Sequence, residues 1–170
     1  MQIKSTEYNE KLHDKWHALT VKQPYAQHLV TVAYIDNETT YAEKSIEVRS
    51  RNINYRGDIM ICSSANPVIP GMMSGVTLGI VELYDTKPIE QFTEEDWRNT
   101  CIPEEQRPKV GWGWMMRNPR RVVEMPIKGQ LGVYTLIVPK DDITEYPTVC
   151  KIDKEGWNII QKQIKDGKKK

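Results

Sequence analysis

Ile59-Met60-Ile61-Cys62 is the stretch that most limits what this chain can become. A short apolar run with no polar interruption fits a strand covered on both faces, not one lying half in water. It ends in Ser63-Ser64-Ala65, small residues that let a ligand approach the backbone. Ahead of it, Lys44 to Arg51 alternates. Ile46 and Val48 point one way, and Glu47, Arg49 and Arg51 the other. Asn52 to Gly57 reads as the turn between the two. The pair forms a charged floor for something anionic and planar, because unpaired charges on a covered face need either partners or a ligand.

Other segments are placed around this pair. Residues 1–16 are polar with little periodicity and read as a flexible or weakly helical lead-in. His13 and His17 would share a helix face. They read as exposed side chains, not metal ligands. Ala18–Val21 is a strand. Pro24 suits the first turn of a helix in which Ala26, Leu29, Val30 and Ala33 line one face. That helix start, next to Lys22 and Gln23, is expected to offer free N–H groups to an anion.

Residues 34–43 read as a polar loop. Asn66–Gly75 reads as a Pro- and Gly-rich loop in which Met72-Met73 makes a soft lid. It lacks the Gly-Lys-Ser/Thr ending of a phosphate-binding P-loop. Val76–Leu83 is a strand, and Thr93 caps a short helix with acids in its first turn. Val122–Met125 and Leu131–Val138 read as further strands. Residues 139–149 are linker-like, Trp157, Ile160 and Ile164 mark a terminal helix, and the Lys168-Lys169-Lys170 tail reads as disordered.

The fold class expected from this order is α+β, mainly β: a small, partly open β-barrel with flanking helices. The organisation is a lead-in over 1–16, a barrel over 17–138, and a linker with a C-terminal helix and basic tail over 139–170. No apolar run approaches the roughly 20 residues that span a bilayer. The opening residues have no apolar leader segment. Three widely spaced cysteines suggest neither a disulfide framework nor a zinc knuckle. The expectation is a cytoplasmic protein with reduced thiols, no cofactor and no metal.

A formal charge of +1 hides segregation: eight acids and two bases lie between Glu82 and Glu105, and six bases and one acid between Arg107 and Lys128. A basic face opposite an acidic one is the expected result. Within the basic segment, Trp112, Trp114, Arg117, Arg120 and Arg121 combine stacking surfaces with phosphate-seeking cations, as single-stranded nucleic acid requires. The candidate nucleic-acid-binding residues are Lys22, Gln23, Lys44, Glu47, Arg49, Arg51, Arg56, Ser63, Trp114 and Lys128. Catalytic constellations are thin. No Ser-His-Asp or Cys-His pattern stands out, Cys62 reads as core, and Lys44 with Glu47 is the one candidate base and carboxylate.

The chain resembles the ASCH family (activating signal cointegrator homology domains) of the PUA-like group. The resemblance runs from Leu19-Thr20-Val21-Lys22-Gln23-Pro24-Tyr25-Ala26 to Lys44-Ser45-Ile46-Glu47-Val48-Arg49, similar to the family's G-x-K-x-x-E-x-R motif. It continues through Tyr55-Arg56-Gly57-Asp58, Ile61–Ala65, Trp114–Arg120 and Pro126–Tyr134. It covers roughly residues 17 to 138. The resemblance implies a PUA-like barrel with a cleft between the first helix and the Lys-x-x-Glu-x-Arg strand, and binding of RNA or nucleotides. It also implies an alternative, since some small members are amidohydrolases that deacetylate acetylcytidine with a lysine, a threonine nucleophile and a distant glutamate. Here Ala42 stands where the family has glycine, and Glu47 stands at the threonine position. A third expectation is a protein-interaction module in transcription or translation that uses the acidic 82–105 surface.

Overall fold

The computed structural model describes residues 1–168; Lys169 and Lys170, which make up most of the expected disordered tail, lie outside the described residues. In chain order the elements are β1 (His13–Val21), α1 (Tyr25–Val30), β2 (Val32–Asp36), β3 (Thr39–Ala42), β4 (Ile46–Arg49) and β5 (Gly57–Ser63). They are followed by β6 (Thr77–Pro88), α2 (Glu94–Thr100), β7 (Trp112–Arg121), β8 (Val133–Pro139) and α3 (Lys154–Lys168). The architecture is α+β and mainly β. Six strands form one mixed sheet in the order β4-β7-β6-β5-β1-β8, and β2 and β3 form a separate hairpin. Among the described residues, no helix is long and apolar enough to cross a membrane.

The apolar run 59–62 lies in β5, near the middle of the sheet, and alternate residues feed two cores. Ile59 and Ile61 join Leu19, Val81, Leu83, Trp114 and the α1 residues Ala26, Leu29 and Val30 on one face. Met60 and Cys62 join Ala18, Tyr134, Leu136 and Val138 on the other. β1 and β5 run parallel, with Ala18 opposite Met60 and Val21 opposite Ser63. Such a pair needs a long crossover, and this one carries α1, the hairpin and β4.

The sheet is strongly curled. β4 and β1 are four strands apart, which in a flat sheet is about 19 Å at the usual strand spacing. Yet Arg49 Nη2 on β4 donates to the Thr20 carbonyl on β1 at 3.3 Å. Sheet twist and the bulges in β6, at Ile80/Glu82 and Leu83/Asp85, supply that curvature. α1 fills the concave side. Gly79 lets it sit close, since a Cβ there would lie 2.8 Å from Val30 Cβ and 2.7 Å from the Arg120 carbonyl.

Several elements differ from the sequence expectation. β1 starts at His13, not Ala18, because residues 13–19 pair antiparallel with β8. His13 and His17 are therefore strand residues, and His17 stacks on Tyr55 with centroids 3.8 Å apart. The expected 34–43 loop is largely the β2–β3 hairpin. Asn37 and Glu38, both at positive φ (47° and 70°), form its two-residue turn, the geometry that matches strand twist. α1 ends at Val30, where Thr31 becomes extended, so Ala33 belongs to β2. Val122–Met125 is not a strand; the long strand there is β7, and between it and β8 there are only isolated bridges at Val122 and Pro126. Thr93 does cap α2, in a full capping box with Asp96.

Candidate functional site

The curl creates a cleft of about 550 Å³ between β4 and the β1–α1 junction. Its floor is β4. Strand alternation sends Glu47 and Arg49 to the same side, where Arg49 Nε and Nη2 both donate to Glu47 Oε2 at 3.0 and 2.7 Å. Nη2 is shared with the Thr20 carbonyl. Arg49 Nη1 makes no hydrogen bond among the described residues, so one edge of the guanidinium is left for a ligand. Thr20, Lys22 and Tyr25 form the wall from β1 and α1, Ile102 and Gln106 close one end, and Gln130 and Leu131 overhang from the loop before β8.

Lys44 lies beneath. It is 1% exposed, and its ammonium donates to the Ile46 carbonyl at 2.8 Å and the Thr100 carbonyl at 2.6 Å, with Glu47 Oε1 at 3.4 Å. Thr100 ends α2, where carbonyls lack helical partners and the helix dipole is negative. Lys44 meets that end with a cation, and Ser45 N donates to the neighbouring Asn99 carbonyl. Burial lowers the lysine's pKa, while the Glu47 carboxylate pulls it back up. The ammonium also lies 5.2 Å from the Tyr25 ring centroid. All three protons are therefore directed at acceptors, and Lys44 holds Glu47 and α2 in place.

The sequence candidates separate into three groups. Lys22, Lys44, Glu47 and Arg49 meet in the cleft. Ser63 and Lys128 line an adjoining hollow, although Ser63 Oγ is buried and spent on the Val76 backbone. Gln23, Arg51, Arg56 and Trp114 do not reach the cleft. Gln23 is buried; its Nε2 donates to the Met73 carbonyl and its Oε1 accepts from Gln27 N, which ties the 66–75 loop to α1. Arg56 folds back onto the Ile53 and Tyr55 carbonyls and the Thr86 hydroxyl. Trp114 is a core residue, 5% exposed, with its indole N–H donating to the Arg51 carbonyl. It offers no face for stacking.

Two further expectations are corrected. The N-terminus of α1 offers no row of free N–H groups, because Ala26 N, Gln27 N and His28 N donate to Lys22 O, Gln23 Oε1 and Pro24 O. The basic 107–128 segment does not form a free basic face. Arg107 pairs with Glu94, Arg117 with Glu82, Arg120 with Asp58 and Arg121 with Glu124. The hydrogen bond from Arg117 holds Glu82 below the usual carboxylate range. Two of these pairs, Arg107–Glu94 and Arg117–Glu82, join the basic segment to the acidic one, and the other two take their carboxylates from β5 and from the basic segment itself.

Sequence reasoning missed Tyr25, Thr20, Gln106 and Leu131 as cleft residues. Tyr25 carried a signal, an aromatic directly after Gln23-Pro24 at a helix start. Gln106 and Leu131 carried none, since loops from distant parts of the chain bring them there. Among the described residues no cluster of histidine, cysteine and carboxylate could hold a metal. A lysine–glutamate–arginine cleft on a curled mixed sheet is the class of site that fold and geometry define. Comparison with protein-family models and with curated proteins finds no significant match for the chain.

Proposed function

We propose that the chain is an ASCH-type, PUA-like open barrel that binds RNA or a nucleotide in the cleft above Glu47. The observation that carries this reading is the half-used Arg49 guanidinium beside a buried carboxylate and an aromatic ring. Arg49 Nη1 and the exposed Lys22 would take phosphate or a base carbonyl. Glu47 Oε1, only loosely engaged by Lys44, would accept from a base N–H. Tyr25 supplies the stacking surface that Trp114 does not. The barrel description rests on the curl that brings β4 against β1.

Two features favour binding over the amidohydrolase alternative. Lys44 directs its protons at two carbonyls and a carboxylate, an arrangement for an ammonium group and not for an amine base. A carboxylate also occupies the strand position where the resembled enzymes carry threonine. The protein-interaction reading is weakened because Glu82, Glu94, Glu95 and Asp96 of the acidic segment are already paired within the chain.

The test is fluorescence anisotropy with a labelled mixed-sequence single-stranded RNA over a salt series. Affinity should fall with a log–log slope of about −0.7 per phosphate contacted. Tyr25→Leu should cost roughly 1–3 kcal/mol, the range for one stacked base. Binding that ignores salt and survives both Lys22→Ala and Tyr25→Leu would sink the proposal.

A further inference from the structure

The cleft does not end at Leu131. A second hollow of about 530 Å³ adjoins it, and the two share Thr20, Ser64, Gln130 and Leu131 as a common border. Each volume falls within the roughly 300–1,000 Å³ of ordinary small-molecule sites, so the second hollow has room for a group of its own beside the first. We infer that the site takes a single strand of at least two nucleotides, with one nucleotide in each hollow and Leu131 between them. This rests on the nucleotide-binding reading above and extends it from a mononucleotide to a chain.

The two hollows differ in chemistry. The first has a carboxylate, a guanidinium edge and an aromatic ring, the groups that read a base. The second has no carboxylate and no aromatic ring in its wall. Its wall is built of small residues at the end of β5 together with Gly75 and Gly129, and small residues admit a sugar-phosphate backbone closely. Gly129 lies so near β1 that a Cβ would stand 2.7 Å from Thr20 Oγ1. The loop is therefore pressed onto the strand at the border, and a side chain there would lift it.

Lys128 is the cation of the second hollow. Its side chain makes no ion pair among the described residues, while its backbone is fixed, with Lys128 N donating to Gln2 Oε1 at 2.7 Å and Ile127 N to the Gly75 carbonyl at 3.0 Å. Lys22 lines the first hollow and is equally free of ion pairs. The two unpaired lysines put one cation beside each compartment. Leu131 is 99% exposed and stands on the border that the two hollows share. A projecting apolar wedge between steps is how proteins separate neighbouring bases. The division of labour is that the first hollow selects the base and the second holds the adjoining phosphodiester without regard to sequence.

The experiment is competition against the labelled RNA, using a mixture of ribonucleoside 5′-monophosphates and, separately, a mixture of 5′-phosphorylated dinucleotides. The dinucleotides should compete about tenfold better or more, because the second nucleotide adds a phosphate contact at Lys128. Lys128→Ala and Lys128→Gln change an exposed side chain that lines the second hollow and not the first. Each should erase most of that gain while leaving monophosphate affinity within about twofold of the parent. Lys22→Ala should weaken both classes. Equal competition by the two mixtures, or a gain that persists in both variants, overturns the two-compartment inference while leaving the mononucleotide reading intact. Failure of both mixtures and of the RNA to bind overturns both.

Discussion

Lys44 and Glu47 set the terms of the site residue by residue. Taking an ammonium out of water costs several kcal/mol, and the close carbonyls of Ile46 and Thr100 with the Glu47 carboxylate are what offset it. Lys44→Met would keep much of the volume but leave two carbonyls and part of a carboxylate without a donor. Removing one partner of a buried pair typically costs about 3–5 kcal/mol, and urea unfolding should show a loss of that size. A loss below about 1 kcal/mol would mean that water or Arg49 takes over the lysine's partners. Glu47 and Arg49 were legible in the sequence, because strand alternation alone puts them on one side. The role of Lys44 was not, because its second carbonyl partner comes from Thr100, fifty-six residues along the chain. Trp114 shows the opposite failure. Its neighbours in sequence are basic, but its neighbours in space are Arg51 O and the core.

At the scale of elements, the site depends on how closely α1 approaches β6. Gly79 permits that approach, and α1 carries Tyr25 to the cleft. Gly79→Ala would force its methyl against the Arg120 carbonyl and the Val30 side chain, one of them backbone that cannot rotate away. The expected cost is roughly 1–3 kcal/mol, as for other overpacked cores, read as a fall in Tm. RNA affinity should fall with it if α1 shifts. Unchanged stability would show that α1 has room to move. The strands β4, β5 and β6 and the capped start of α2 could be read from periodicity and cap residues. The hairpin β2–β3 carried strand-favouring valine, tyrosine, isoleucine and threonine on both sides of Asn37-Glu38, against the loop expected there, whereas in the first half of β1 histidine, aspartate and lysine become strand through pairing with β8, which local sequence does not encode. The α+β class was legible for the same reason as β5. The curl that makes a cleft was not, because it arises from bulges and from a contact between strands four positions apart.

For the whole molecule, the buried titratable groups predict how stability depends on alkaline pH. Burial pushes the Cys62 thiol from 9.0 to about 12, and the Tyr34 and Tyr84 hydroxyls from 10.0 to about 12. Above pH 9 the unfolded chain begins to lose these protons while the folded chain keeps them. The unfolded state then binds fewer protons, so stability falls as pH rises, and the loss is complete near pH 12. Lys44 acts with the opposite sign. Its folded pKa is lowered by burial from 10.5, so below that value the unfolded state binds the extra proton and stability rises with pH. Where the two overlap below 10.5 they oppose; above 10.5 the lysine contributes nothing further and the fall is uncompensated. Urea midpoints taken from about pH 7 to 12 should therefore fall most steeply above 10.5, where nothing opposes the thiol and the tyrosines. Cys62→Ala should make the drop shallower, because one of the groups that keeps its proton only when folded is gone. Lys44→Met should start the drop earlier, because the opposing rise is removed. A decline that begins at neutral pH and is unaltered by either substitution would mean that other groups govern alkaline unfolding.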